Sequence, residues 1–282
     1  MSRPATTSAP PGAGEAARRR IAPFGRRRTQ VTQSRDIGAY RLFACRDADG
    51  PPPRPGQFYM LSAVERWGGG EAERPFLPRA FSYLRRVGDE LQFLLEDVGP
   101  GTRRLAQLAP GEELWVVGPL GMGFWAPEPG RVPLLVGGGI GIVPLACWQD
   151  ELGAPARPLL GFRDAAHAVA SELLAEAVVA TDDGSTGRRG LATDLLAAEL
   201  RSIPEPAVYA CGPPAMLEAV RALAAEHRVP AQLAMESGMA CGFGACFGCV
   251  VPTRHGHLRL CVDGPVVDAC DLDTALIPGT GH

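Results

Sequence analysis

From about residue 29 to residue 131 the chain is a series of short apolar runs broken by turn residues. Stretches 39–45, 57–62, 80–85, 90–95 and 113–117 each have the length of a strand. Between them stand Pro51-Pro52-Pro53, Gly68-Gly69-Gly70 and Pro110-Gly111. Pro lacks the donor a ladder needs and Gly weakens a strand, so such clusters mark its ends. Strands at this spacing predict an antiparallel barrel or sandwich of about a hundred residues.

The pattern changes at Val132. An apolar run over 132–136 leads into Gly137-Gly138-Gly139-Ile140-Gly141 and a predicted helix over 143–152. Further strands are expected at 158–162, 177–181, 207–210 and 231–235, with helices at 191–201 and 214–227. Alternating strand and helix predicts a parallel α/β sheet. The expected organisation is an unstructured leader over 1–28, a β domain over 29–131 and an α/β domain over 132–236. A small lobe over 237–282 follows as an appendage.

Composition narrows the function classes. A chain of 282 residues holds two domains with cores of their own, and 46% hydrophobic residues is ordinary for a globular protein. The longest apolar runs are strand-sized, and residues 1–30 carry no signal-peptide pattern, so the cytoplasm is expected. There the eight cysteines are read as ligands or buried thiols rather than bridges. Every basic side chain is Arg, which excludes a P-loop and a Schiff-base lysine. Nine of the 28 lie in residues 1–41, leaving 19 basic against 29 acidic side chains in the remainder, a balance of −10. A basic leader on an acidic body suggests nucleic acid, but no aromatic platform or binding motif accompanies it.

The most informative stretch is Cys241-Gly-Phe-Gly-Ala-Cys246-Phe-Gly-Cys249, followed by Cys261. Its spacing is C-x4-C-x2-C-x11-C, and the first two intervals are those of plant-type [2Fe–2S] ligands. Gly242 and Gly244 permit positive φ and let backbone N–H groups approach the sulfides. A four-cysteine zinc site usually has two CxxC knuckles, and only one stands here, Cys246 to Cys249. A disulfide pair would need an oxidising compartment.

Four further motifs carry less weight singly. Gly137, Gly138, Gly139 and Gly141 stand where a strand opens into a helix and backbone donors can meet a phosphate; a tight turn is the plain alternative. Arg79-Ala80-Phe81-Ser82 offers a cation for a pyrophosphate and a hydroxyl for a flavin nitrogen, or simply an exposed strand Arg. Val98-Gly-Pro-Gly101-Thr102 reads as a phosphate-binding turn before a helix, with Thr102 as cap. Cys211-Gly212-Pro213 ends a strand where open α/β sheets bind ligands, though a buried thiol in a turn fits equally.

Taken in order, Arg79–Ser82, Gly118-Pro-Leu-Gly121, the glycine turn, Thr181-Asp182-Asp183-Gly-Ser185, Cys211-Gly-Pro213 and the four cysteines resemble a known family. They are similar to the electron-transfer subunits of class B dihydroorotate dehydrogenases, within the ferredoxin–NADP⁺ reductase superfamily. The resemblance covers about residues 30–270, and the cysteine segment through Asp263-Gly-Pro265 is its most specific part. It implies a barrel holding FAD, a nicotinamide-binding α/β domain and a [2Fe–2S] lobe facing an FMN-containing catalytic subunit, in a heterotetramer of two of each. It also implies that Arg79, Ala80, Phe81, Ser82, Leu94, Leu95, Glu96, Gly101 and Thr102 hold FAD, and that Cys241, Cys246, Cys249 and Cys261 ligate the cluster. Met122 stands where relatives often show Asn, and Gly238 where a basic residue is frequent.

A nicotinamide moves two electrons and such a cluster one, so the flavin is the required intermediary. Asp182 favours NAD by repelling a 2′-phosphate, whereas Arg163 would attract one. The expected role is electron transfer with dihydroorotate oxidised in the partner. Alternatives are a reductase subunit of a hydrogenase, sulfite reductase or ferredoxin-linked complex, an oxygenase reductase, and a metal-bearing regulator without enzymatic activity.

Overall fold

A computed structural model describes residues 25–68, 75–153 and 155–277. β1 (Arg27–Ile37), β2 (Tyr40–Arg46), β3 (Phe58–Ala63), β4 (Arg79–Ser82), β5 (Arg85–Val87), β6 (Glu90–Leu95) and β7 (Glu113–Leu120) form one antiparallel sheet. Its order is β4-β3-β7-β1-β2-β6-β5. The two edge strands, β4 and β5, are separated in sequence only by Tyr83 and Leu84, so the sheet must curl until its edges meet. The expected single strand over 80–85 is thus two, because the chain leaves β3 and pairs next with β6. Phe43, Tyr59, Tyr83, Phe93, Leu105 and Val116 fill the interior. Phe43 and Phe93 are cross-strand partners whose rings stack at 5.4 Å, the kind of pair that fixes register.

Most of the expected leader lies outside the described residues, and its last two members are not unstructured. Arg27 and Arg28 open β1. The Arg27 guanidinium donates to both oxygens of Asp47, at 2.6 and 2.7 Å, and to the Gly118 carbonyl at 2.8 Å. Asp47 is buried, so the pair anchors the strand where a charge run would otherwise fray.

The second sheet has the order β11-β10-β9-β8-β12-β13-β16. β8 (Val132–Gly138), β9 (Arg157–Phe162), β10 (Val178–Thr181), β11 (Arg188–Arg189), β12 (Pro206–Cys211) and β13 (Ala231–Ala234) run parallel. In β8, Leu134 and Val136 face one core and Leu135 the other, which is why the strand reads as a continuous apolar run. α2 (Ile142–Leu152) buries Val143 and Trp148 with Leu135, while α4 (Ala192–Glu199) and α5 (Pro214–His227) cover the opposite face. The shorter α1 (Pro100–Ala106) belongs to the barrel and α3 (Ala165–Ala168) to the β9–β10 connection.

The C-terminal segment contains strands that its pattern does not announce. β14 (Val250–Thr253) and β15 (Gly256–Arg259) form a hairpin, and β16 (Val266–Asp268) pairs antiparallel with β13. Runs of three or four residues are too short for periodicity to detect. Val251, Leu260 and Val267 share one core with Leu134 and Leu233 of the α/β sheet and with Phe58, Met60 and Leu120 of the barrel. Each such buried side chain contributes about 1.5–3 kcal/mol, so the lobe is fastened to both preceding units.

Candidate functional site

The loop between β13 and β14 carries Cys241, Cys246 and Cys249; Cys261 follows β15. Cys246 is exposed, Cys241 half-buried, and Cys249 and Cys261 buried. The thiols come as two pairs. The Cys246 amide donates to the Cys241 sulfur at 3.5 Å, and the Cys261 amide to the Cys249 sulfur at 3.4 Å. Burial alone would raise the Cys241 thiol, but the amides of Cys246, Phe243 and Ala245 outweigh it and bring it down to about 6. Burial and the neighbouring Cys249 thiol push Cys261 up to about 12. The amides around Cys241 thus favour its thiolate, the form that ligates a metal. Among the described residues, no three or more His, Cys, Asp or Glu side chains converge on one ion. Two thiol pairs suit a two-iron cluster, which takes two thiolates on each iron.

Glycine is required in this loop by conformation and by space. Gly242 has φ +79°, and a Cβ there would lie 2.5 Å from Met60 Cγ on β3. Gly244 has φ +86° and would meet Val262 Cγ2 at 2.7 Å. The loop thus touches the barrel at Met60, whose cross-strand partner is Ala80 of β4. Below it, Met122 bridges to Pro265 and its amide donates to the Gly264 carbonyl.

On β4, Arg79 packs against the start of α1. A Cβ on Gly101 would lie 2.6 Å from Arg79 Nε, so the missing side chain gives the guanidinium its place. Nη1 donates to the Leu77 carbonyl at 2.6 Å, and among the described residues Arg79 has no carboxylate partner. Most of its donors are left for an anion, which fits a pyrophosphate. The Thr102 hydroxyl is already engaged: it accepts from the Val98 and Gly99 amides and donates to the Gly99 carbonyl. Ala80 is exposed and Phe81 and Ser82 half-exposed. Leu94 and Leu95 are fully buried, so their side chains belong to the cores and only their main chain can face a ligand.

β8 lies between β9 and β12, so chain order reverses beside it and a crevice opens at the carboxyl ends of β8 and β12. Gly137 through Gly141 and Cys211-Gly212-Pro213 meet there. A Cβ on Gly141 would lie 2.3 Å from the Cys211 carbonyl oxygen, and one on Gly138 would meet Met216 Sδ at 2.7 Å. These glycines let two turns approach each other. Gly139 differs: it has φ +53°, and a Cβ there would meet only the Tyr40 hydroxyl, at 3.7 Å. That hydroxyl is buried and has no hydrogen-bond partner among the described residues. Cys211 is buried, and burial holds its thiol well above the ordinary range, so it stays protonated.

The iron–sulfur cluster binding domain of dihydroorotate dehydrogenase B matches residues 236–273 of this chain. The dihydroorotate dehydrogenase B (NAD(+)) electron transfer subunit of Caldanaerobacter subterraneus subsp. tengcongensis is 37% identical over 223 residues, covering 77% of this chain and 86% of that one. The chain belongs to the family of dihydroorotate dehydrogenase B electron transfer subunits. The Bacillus caldolyticus subunit is 38% identical over 233 residues, with 78% and 86% coverage. Among solved structures, the NADH-dependent reduced ferredoxin-NADP oxidoreductase superimposes with a TM-score of 0.75 at 24% identity, over 89% of this chain and 92% of that one. The ferredoxin reductase of carbazole 1,9a-dioxygenase gives 0.59 at 24%, over 73% and 66%. These likenesses bear on fold: a reductase-like barrel and parallel-sheet domain with a C-terminal lobe.

The two residues expected to bear on coenzyme choice, Asp182 and Arg163, lie apart in their surroundings. Asp182 sits exposed at the end of β10, two strands from the glycine turn. Arg163, which would attract a 2′-phosphate, is held at 3.0 Å by Glu96 of the barrel, and His167 Nε2 lies 3.4 Å from the same carboxylate. Glu96 thus links the two domains. Tyr40 and His167 have no motif around them to mark them in the sequence. Their rings meet edge-on at 5.5 Å only because β2 and α3 are packed together.

Proposed function

We propose that the chain carries electrons between NAD(H), FAD and a [2Fe–2S] cluster, to or from the FMN-containing catalytic subunit of a dihydroorotate dehydrogenase. The observation that carries this reading is a contact: the cysteine loop meets Met60 through Gly242, and Met60 pairs with Ala80 in the Arg79–Ser82 strand. The residues suited to a flavin and those suited to a cluster therefore lie on adjacent strands and loops around one core.

When bound, the flavin would take an electron pair from the nicotinamide and the cluster would pass electrons singly. The protein's part is binding and exclusion of water. Arg79 neutralises the pyrophosphate, held by the Gly101 contact, and Ser82 with the main chain of Leu94–Glu96 lines the flavin edge. Gly137–Gly141 and Cys211–Pro213 receive the dinucleotide, with Asp182 toward its ribose. Cys241, Cys246, Cys249 and Cys261 would hold the cluster, two thiolates to each iron. Glu96 withdraws Arg163 from a 2′-phosphate, which favours NAD. No side chain is required as an acid or base in hydride transfer.

Family membership supports a role in pyrimidine biosynthesis with an FMN-containing partner, in a complex of two subunits of each kind in the cytoplasm. No helix among the described residues is long and apolar enough to cross a membrane. Reconstitution with the catalytic subunit tests the proposal. The mixture is expected to reduce NAD⁺ with dihydroorotate while neither component does so alone. NADH oxidation by dyes without this coupled reaction would assign the chain to another redox complex.

A further inference from the structure

Arg259 closes β15, two residues before Cys261, and its side chain reaches across the cysteine loop. Nη1 donates to the Gly244 carbonyl at 3.3 Å, within the interval from Cys241 to Cys246. The guanidinium lies 5.6 Å from the ring centroid of Phe247, within the interval from Cys246 to Cys249. Phe247 has φ +58°, a left-handed conformation that a bulky residue adopts only when its surroundings impose it. Gly244, also left-handed, has its missing Cβ 3.1 Å from Arg259 Nη1. One side chain therefore braces both halves of the loop from a strand that itself leads to the fourth cysteine.

The charge around this guanidinium is specific. Asp263 Oδ2 lies 3.7 Å from Arg259 Nε and accepts the Arg259 backbone amide at 3.0 Å. At Gly238 a side chain would meet nothing within 4 Å, so that open position contributes no cation.

We propose that Arg259 is the positioning residue of the cysteine loop and that its charge, moderated by Asp263, sets the reduction potential of the cluster. This rests on the [2Fe–2S] reading of the four thiols. Four thiolates and two sulfides outweigh two ferric ions, so the oxidised cluster is already anionic and reduction adds one more negative charge. A fixed cation stabilises the reduced form more than the oxidised one. Removing it therefore lowers the potential.

The test is an anaerobic redox titration of the FAD-loaded subunit, monitored by EPR, after iron and acid-labile sulfide have been measured. Arg259→Gln is expected to keep two irons and two sulfides and to lower the reduced-to-oxidised ratio at a given potential about tenfold, or about 59 mV for one electron. Arg259→Lys keeps the charge but loses the fork and the stack, so it should restore the potential while altering the EPR line shape. Reduction of dyes by NADH should not change, because those electrons leave before the cluster. An Arg259→Gln protein with full iron and a wild-type potential overturns the proposal, as does a Lys variant shifted as far as Gln. If Arg259→Gln loses iron, Asp263→Asn decides: a raised potential supports the assignment and an unchanged one overturns it. Absence of iron and sulfide from the wild-type subunit would instead sink the cluster reading itself.

Discussion

Gly141→Ala would force apart the two turns proposed to receive the dinucleotide. The new Cβ would lie 2.3 Å from the Cys211 carbonyl oxygen, 2.5 Å from the Cys211 carbonyl carbon and 2.7 Å from Gly212 Cα. All three are main-chain atoms at the end of β12, so no rotamer change relieves the contact. Ordinary contact begins near 3.4 Å, so the turns must separate by about 1.1 Å. Gly141 itself has φ −62° and ψ −8°, where alanine is unstrained, so the whole effect comes from the clash. Overpacking of this kind costs about 1–3 kcal/mol, or about 2–5 °C in Tm for a chain of this size. Displacement of a binding turn by about 1 Å lowers kcat/KM by about 100-fold. Scanning calorimetry and steady-state NADH–ferricyanide kinetics measure the two effects. Gly139→Ala is the control: its Cβ makes only an ordinary contact, 3.7 Å from the Tyr40 hydroxyl, so stability should fall by only the roughly 1–2 kcal/mol of left-handed strain while the KM for NADH rises. A Gly141→Ala protein with wild-type Tm and KM would refute the reasoning.

Arg79→Ala should release FAD on gel filtration, because one or two charge-assisted contacts worth about 1.5–3 kcal/mol each are lost, while Arg79→Lys keeps part of the affinity. Glu96→Ala frees Arg163, and the kcat/KM ratio of NADPH to NADH should rise; an unchanged ratio would place the 2′-position elsewhere. Glu218 fastens the C-terminal segment through the Thr274 hydroxyl at 3.0 Å and the Ala275 amide at 2.6 Å. Its hydrogen bonds to Arg221, then those to Ala275 and Thr274, hold its carboxyl at about 2, below the ordinary 4.5. Its stabilisation is therefore complete above about pH 4.5 and is lost as pH falls toward 2. Partial solvent exposure limits it to about 1–2 kcal/mol. Urea unfolding of Glu218→Gln at pH 7 and at pH 3 should show a difference from wild type that shrinks at the lower pH.

The sequence carried the architecture where apolar runs were long enough to show a period. The helix over 214–227 and the strand over 90–95 match the observed bounds, and β8 extends the expected run by two glycines. β1 was not marked as a strand because only Thr29, Val31 and Ile37 of its eleven residues are buried, and its first two are arginines of a charge run. β16 was invisible because three residues cannot display alternation. The candidate site was legible where chemistry imposes spacing, as in the four cysteines. It was not legible where a contact depends on the fold. Arg259 over Phe247, Tyr40 beside Gly139 and Glu96 on Arg163 join residues remote in sequence, or set on separate loops, that no motif connects. The glycine turn was legible as a turn, but the mutual approach of β8 and β12 that requires Gly141 was not.

The central claim is tested most directly by anaerobic titration of the purified subunit with NADH, followed by visible and EPR spectra on one sample of known iron, sulfide and FAD content. One FAD, two irons and two sulfides per chain are expected. NADH should bleach the flavin and bring up a paramagnetic iron–sulfur signal that Cys246→Ser lacks while still reducing dyes. A single zinc per chain, or a flavin that NADH reduces without any iron–sulfur signal in the wild type, would contradict it.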